Sequence, residues 1–327
     1  MKIKKLFVLI LCVLCIVLFC ACNKTGQYLI FGTFVDIELS GSDASKKLVE
    51  IEKRLIKIEN LMSATKDGSD VYKINAALKD TPVSVSRETM QVLICAKEVY
   101  TASGGAFDPT VYPLSRLWKF SADTYVGVPT TLPCDEEILD ALSLVGMDKL
   151  LLDEKNLTVT KKLDGLKIDL GGLAKGYAAG EALSIADGMK GIINVGGNIV
   201  AAGRDISVGI QNPRGDGYIG KFTLNSKMSV STSGDYERRY VYDGINYHHI
   251  ISPFTGYPTG VKDDANLISV TVVSDNYTLC DAVTTAVMVL GKEKGIELIE
   301  KLNLKGVLID SDLTVTVVGD IDFVEKK

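Results

Sequence analysis

Long basic tracts are missing from this chain after Lys5, and acidic residues outnumber basic ones, 41 to 36 over 327 residues, for a net charge of −5. With no basic stripe and no recognition motif, a nucleic-acid partner is excluded. Cysteine is scarce beyond the first 22 residues, where only Cys95, Cys134 and Cys280 occur, an odd set that implies no disulfide framework. Repeats, low-complexity stretches and proline-rich linkers are lacking from 28 to 320, so this span reads as one continuous unit, either one large domain or two packed lobes. Histidine is the scarcest titratable residue: the two copies, His248 and His249, are adjacent and lie among small polar residues and turn formers. An imidazole there can move a proton or touch a phosphate, although a structural histidine is the commoner case.

The amino terminus reads as an export signal, with Lys2, Lys4 and Lys5 before an apolar run from Leu6 to Phe19. That run is short for a spanning helix, which needs about 20 apolar residues. Cys22 after Ala21, followed by polar residues, resembles a bacterial lipobox. The expected organisation is a signal peptide over 1–21, a lipid-anchored tether over 22–30 and a domain over 31–320. The protein would then be held by lipid on the extracytoplasmic face of the cell membrane.

Within the domain the periodicities mix, which argues an α+β fold. Residues 31–39 alternate as a strand, and Leu48, Ile51, Leu55, Ile58 and Leu61 mark one face of a helix. Ser86 is placed to cap a helix ending near Ser103, and a third helix spans 135–145. Strands are expected at 150–153, 157–160, 166–170, 206–210 and 267–273, with helices near 174–189, 277–290 and 292–303.

Four segments carry donors for chemistry. Asp169-Leu-Gly-Gly-Leu-Ala-Lys175-Gly176 joins a strand to a helix, where glycines admit a ligand to the backbone and Lys175 adds a cation for phosphate. Asp169 can meet a polar ligand group. Asp281 and Thr285 lie four apart on one helical face and offer the hard oxygens that Mg2+ prefers, although an acid near a helix start is also favoured by the dipole alone. Phe107 and Asp108 in Gly104-Gly-Ala106-Phe107-Asp108-Pro-Thr110 can line an aromatic pocket and accept a hydrogen bond, or simply form a turn. Gly191 to Ile199 is a buried strand ending in a glycine turn, or an ordinary strand connection.

Taken in order, these pieces resemble the ApbE family of FAD:protein FMN transferases over roughly residues 31–310. The matching blocks also include Gly32-Thr33, Met62-Ser63 with Ile74-Asn75, Asn194-Val-Gly-Gly-Asn198, Thr232-Ser-Gly-Asp-Tyr-Glu237 and His249-Ile-Ile-Ser-Pro253. The resemblance implies a Mg2+-dependent enzyme that moves FMN from FAD to a Thr or Ser hydroxyl of an acceptor protein and releases AMP. It places FAD, the substrate, against Asn75, Ala106, Phe107, Asp108, Asp169, Lys175 and Thr232. It gives the metal the Gly172 carbonyl, Asp281 and Thr285, and His249 the part of base or phosphate contact. The implied acceptor is a flavoprotein, a membrane-bound electron-transfer subunit. An FAD pyrophosphatase yielding AMP and FMN, or a flavin-binding lipoprotein without catalysis, would use much of the same pocket. Phe31, Thr65, Gly180 and Ser252 depart from the family pattern, where Met, Tyr, Asp and Asp are usual.

Overall fold

The computed structural model describes residues 23–326, so the expected signal peptide and Cys22 lie outside the described residues. The first half runs β1 (Lys24–Ile30), β2 (Thr33–Ser40), α1 (Ala44–Met62), α2 (Asp70–Ala76), β3 (Val83–Ser84), α3 (Arg87–Ala102), α4 (Tyr112–Leu117), α5 (Asp135–Ser143), β4 (Leu150–Asp153) and β5 (Thr158–Lys161). The second runs α6 (Ala174–Ile185), β6 (Lys190–Val195), β7 (Asn198–Ala202), β8 (Ile206–Gln211), β9 (Tyr218–Leu224), β10 (Ser229–Gly234), β11 (Arg239–Tyr242), β12 (Ile245–His248), β13 (Leu267–Ser274), α7 (Tyr277–Leu290), α8 (Lys292–Lys301), β14 (Lys305–Asp310), β15 (Val315–Val318) and β16 (Val324–Glu325). This is the α+β mixture that the periodicities indicate. None of these helices is long and apolar enough to cross a membrane.

An antiparallel sheet of eight strands, in the order β1-β2-β6-β7-β10-β13-β14-β15, organises the molecule. Alternation decides which side chains reach which layer. Val35, Ile37 and Leu39 of β2, and Val270 and Val272 of β13, enter the main core beneath the helices. Val230, Ile268 and Val273 point the other way, into a second core closed by β8 and β9. Because β13 is covered on both faces, all eight of its residues are buried. Helix α1 turns Leu48, Ile51, Leu55, Ile58 and Met62 inward, and Ser86 caps α3 by accepting from the Thr89 amide at 3.1 Å.

A third core explains how distant segments reach one place. Trp118 stacks on Tyr247 with ring centroids 5.5 Å apart, and Phe120 on Tyr240 at 5.1 Å. The Trp118 indole N–H donates to the Gly256 carbonyl at 2.8 Å. The hairpin β11–β12, which leads into His249, is thereby pinned to the chain that follows Phe107.

Three expectations need correction. Residues 24–30, expected as tether, form β1, paired along its whole length with β2. The folded unit also runs past 320, because Val324 and Glu325 pair with β9. Residues 166–170 are extended but join no sheet; Leu166, Ile168 and Leu170 are wholly buried, which produced the alternation, while side chains satisfy the backbone.

Arg54 ties three helices together, donating to Glu88 of α3 at 2.8 Å and bridging to Glu181 of α6 at 2.6 Å. Hydrogen bonds from Arg54 and then Lys57 lower the Glu88 carboxyl to about 2. A depressed carboxyl stabilises the fold fully above its ordinary value and ceases to as pH falls through the lowered one. Water still reaches these groups, so Arg54→Met is expected to cost only about 1 kcal/mol at pH 7. That cost should vanish near pH 2, read from urea midpoints of both proteins.

Candidate active site

The turn from Asp169 to Gly176 is the hub. Leu170 and Leu173 are buried beneath it, and the Asp169 carboxylate accepts from the Gly171 amide at 2.8 Å, closing a tight turn into α6. The Asp169 amide donates to the Pro109 carbonyl at 2.9 Å, which fastens the turn to the loop carrying Phe107. A Cβ placed on Gly172 would lie 3.2 Å from the Phe107 ring and 3.9 Å from Thr285 Oγ1. Gly172, Phe107 and Thr285 therefore meet, although 65 and 113 residues separate Gly172 from the other two.

Asp281 is buried one helical turn from Thr285. Its Oδ2 accepts from the Gly176 amide at 3.0 Å and lies 3.6 Å from Lys175 Nζ. Lys175 also donates to the Gly171 carbonyl at 2.6 Å, so one ammonium joins the glycine turn to the α7 carboxylate. Helices α6 and α7 approach this closely because position 176 has no side chain: a Cβ there would stand 2.3 Å from the Tyr277 carbonyl oxygen and 2.8 Å from Asp281 Cβ. Gly176→Ala should destabilise the protein by about 1–3 kcal/mol and spread α6 from α7. A lowered urea midpoint would register the lost stability.

Among the described residues no three His, Cys, Asp or Glu side chains are placed to hold a metal. The oxygen set of the Gly172 carbonyl, Asp281 and Thr285 has one carboxylate and suits Mg2+, which often completes its shell with water and substrate phosphate.

His249 follows β12, and its amide donates to the Arg238 carbonyl at 3.0 Å. Its Nδ1 is buried without a hydrogen-bond partner. Burial, and then the charges of Arg238, His248 and Lys175, push the imidazole well below 6.5, so it is neutral at pH 7 and can accept a proton. His248 also leaves Nδ1 buried without a partner, but its Nε2 faces the Thr259 carbonyl at 3.0 Å, a structural role.

Three of the site residues named from the sequence are hydrogen-bonded within the protein. Asn75 spends its amide on Ile168, donating to its carbonyl at 2.9 Å and accepting from its N–H at 2.7 Å. Both Asp108 oxygens are engaged, Oδ1 with the Thr110 amide and hydroxyl within the loop and Oδ2 with the Met147 amide just before β4. Burial raises that carboxyl despite these bonds. Thr232 bonds Thr271 at 2.9 Å and shares the sheet face of Val230, away from α7. Its neighbour Ser233 faces α7 and meets Thr284 at 2.8 Å, because strand parity turns adjacent residues to opposite faces. Ala106 is buried beside Phe107, on the loop over the hub.

The departures also find their places. A side chain on Gly180 would begin 2.4 Å from the Tyr277 ring, so the aspartate usual there does not fit this packing. Ser252 is buried in the turn after His249, where its hydroxyl accepts from the Phe254 amide. Phe31 has a positive φ of 59° and donates its amide to Glu59. Thr65 lines a pocket of about 290 Å³ with Tyr72, Asn75, Tyr112, Arg116 and Lys167.

Known proteins resemble this chain in sequence and in fold. A protein of Klebsiella pneumoniae named FAD:protein FMN transferase is 36% identical over 282 residues, covering 84% of this chain and 85% of its own. A Treponema pallidum protein of the same name is 29% identical over 89% of this chain and 87% of its own. The crystal structure of the ApbE protein of Thermotoga maritima superposes with a TM-score of 0.82 at 33% identity, covering 90% of this chain and 97% of that one. The apo flavinyl transferase ApbE of Pseudomonas stutzeri gives 0.78 at 25% identity over 90% and 95%. The ApbE family model matches residues 31–308, and the chain belongs to the ApbE family.

Proposed function

We propose that this protein is a Mg2+-dependent FAD:protein FMN transferase acting on a Thr or Ser hydroxyl of an acceptor protein. The observation that carries this reading is the meeting of the Gly172 turn, Phe107 and Thr285 beside the Asp281–Lys175 pair. It gathers an aromatic ring, a cation and hard oxygen donors within one short span, which is what a dinucleotide pyrophosphate and its cation require. Gly172, Asp281 and Thr285 would hold Mg2+, whose charge offsets the negative charge on the pyrophosphate oxygens.

In the reaction the acceptor hydroxyl oxygen forms a bond to the FMN phosphorus, and the bond from that phosphorus to the bridging oxygen breaks. AMP leaves with the bridging oxygen, and the hydroxyl proton passes to His249. Lys175 steadies the phosphates, and Asp169 lies at the end of the turn where a polar group of FAD can meet it. Asn75 and Asp108 act by holding the backbone around the substrate. In support of an extracytoplasmic, lipid-held enzyme stands the lipobox-like leader over 1–21 that precedes Cys22. The expected client is a membrane-bound electron-transfer subunit.

Release of AMP separates the readings. With FAD, Mg2+ and acceptor, AMP should appear in step with flavin bound to acceptor. AMP with an equal amount of free FMN would mean hydrolysis, and no AMP under any condition would mean a binding protein.

A further inference from the structure

The catalytic turn reaches the site on a segment that belongs to no sheet. Leu166, Ile168 and Leu170 anchor it by burial, but apolar burial is not directional and leaves the register along the chain free to slide. Directional bonds must set that register, and besides the backbone bond from Asp169 to Pro109 two side chains supply them. Asn75 brackets Ile168 through its two hydrogen bonds as a neighbouring strand would. Lys161, only 3% exposed, donates its ammonium to the Leu166 carbonyl at 3.1 Å and to the Asn75 carbonyl at 3.3 Å.

We propose that Lys161 and Asn75 are positioning residues for the active site: they replace the missing strand and fix where Asp169 and the Gly172 carbonyl lie. The inference rests on the transferase reading. A buried ammonium aimed at two carbonyls is a costly way to fill space, which a methionine would do better. Burial accordingly lowers the Lys161 pKa, helped by the nearby charge of Lys167. The line of bonds runs from β5 through Asn75 to Ile168. It continues through the Asp169 amide to Pro109 and through Gly171 to Lys175, so a shift at Lys161 is delivered to the substrate side.

The test compares Lys161→Met and Asn75→Asp with Val307→Ala, a truncation in the second core behind the sheet. Each is assayed for FMN transfer and for Mn2+ affinity by electron paramagnetic resonance, at a temperature where thermal melts show it folded. The expected result is a fall in kcat of about tenfold to a hundredfold and a clear loss of Mn2+ affinity in both network variants. Val307→Ala should lose melting temperature but neither property. Network variants that keep wild-type kcat and Mn2+ affinity would overturn the proposal, as would failure of both to fold, which would assign the network to folding. No transfer by the wild-type protein would instead refute the reading on which the inference rests.

Discussion

Asp281→Asn is expected to lower kcat for FMN transfer by about 10^2–10^3-fold, the scale of losing one preorganised charge from such a centre. Asparagine keeps the shape of the side chain and can still accept from the Gly176 amide, so the contact between α6 and α7 survives. What disappears is the negative charge that faces Lys175 at 3.6 Å and would hold Mg2+ beside Thr285. The melting temperature should therefore stay close to wild type while the Mg2+ concentration for half-maximal rate rises. Thr285→Val should shift the same Mg2+ dependence less, because a hydroxyl carries no net charge. Wild-type transfer and Mg2+ dependence in Asp281→Asn would remove the metal assignment.

His249→Ala should lower kcat by about 10^2–10^4-fold, the range for a lost general base, and leave the Kd for FAD within about twofold. A phosphate contact would behave otherwise, weakening FAD binding along with turnover. The pH profile gives a second reading. Burial and the charges of Arg238, His248 and Lys175 keep the imidazole neutral well below its ordinary value. The base is competent when unprotonated, so wild-type kcat should hold from pH 7 through 6.5 and decline only at lower pH. Stability follows the same sign: below 6.5 the unfolded chain takes up a proton that the native state refuses, so the contribution of this residue to folding decreases as pH falls. A kcat that titrates at 6.5 or above would contradict the assignment.

How much of this was legible in the sequence depended on the kind of signal. The long helices were, because Leu48, Ile51, Leu55 and Ile58 repeat at helical spacing and Ser86 sits where a cap belongs. Strand β1 was hidden by its composition, since Lys24-Thr-Gly-Gln shows no apolar alternation and draws its order from pairing with β2. The segment 166–170 misled in the opposite sense: three buried residues alternate as in a strand, but alternation reports burial and says nothing about what pairs with the backbone.

At the site, helical spacing made it legible that Asp281 and Thr285 share a face of α7, whereas the contact of Asp281 with Lys175 and the Gly176 amide needs the packing of α6 on α7, which no local pattern announces. Thr232 and Ser233 turn to opposite faces, and nothing in a run of small hydroxyl residues tells which parity faces the helices. Asn75 and Asp108 are polar residues in suitable loops whose bonding capacity turns out to be used internally. Lys161 offered only the faint signal of a lysine at the end of a short β-branched strand.

The most direct test is the intact mass of a threonine-bearing flavoprotein acceptor incubated with residues 23–327 and FAD, with Mg2+ or with chelator. The account predicts a gain of one FMN that needs Mg2+ and is lost when the acceptor threonine is replaced by valine. An unchanged acceptor mass while the protein converts FAD to free FMN and AMP would contradict it.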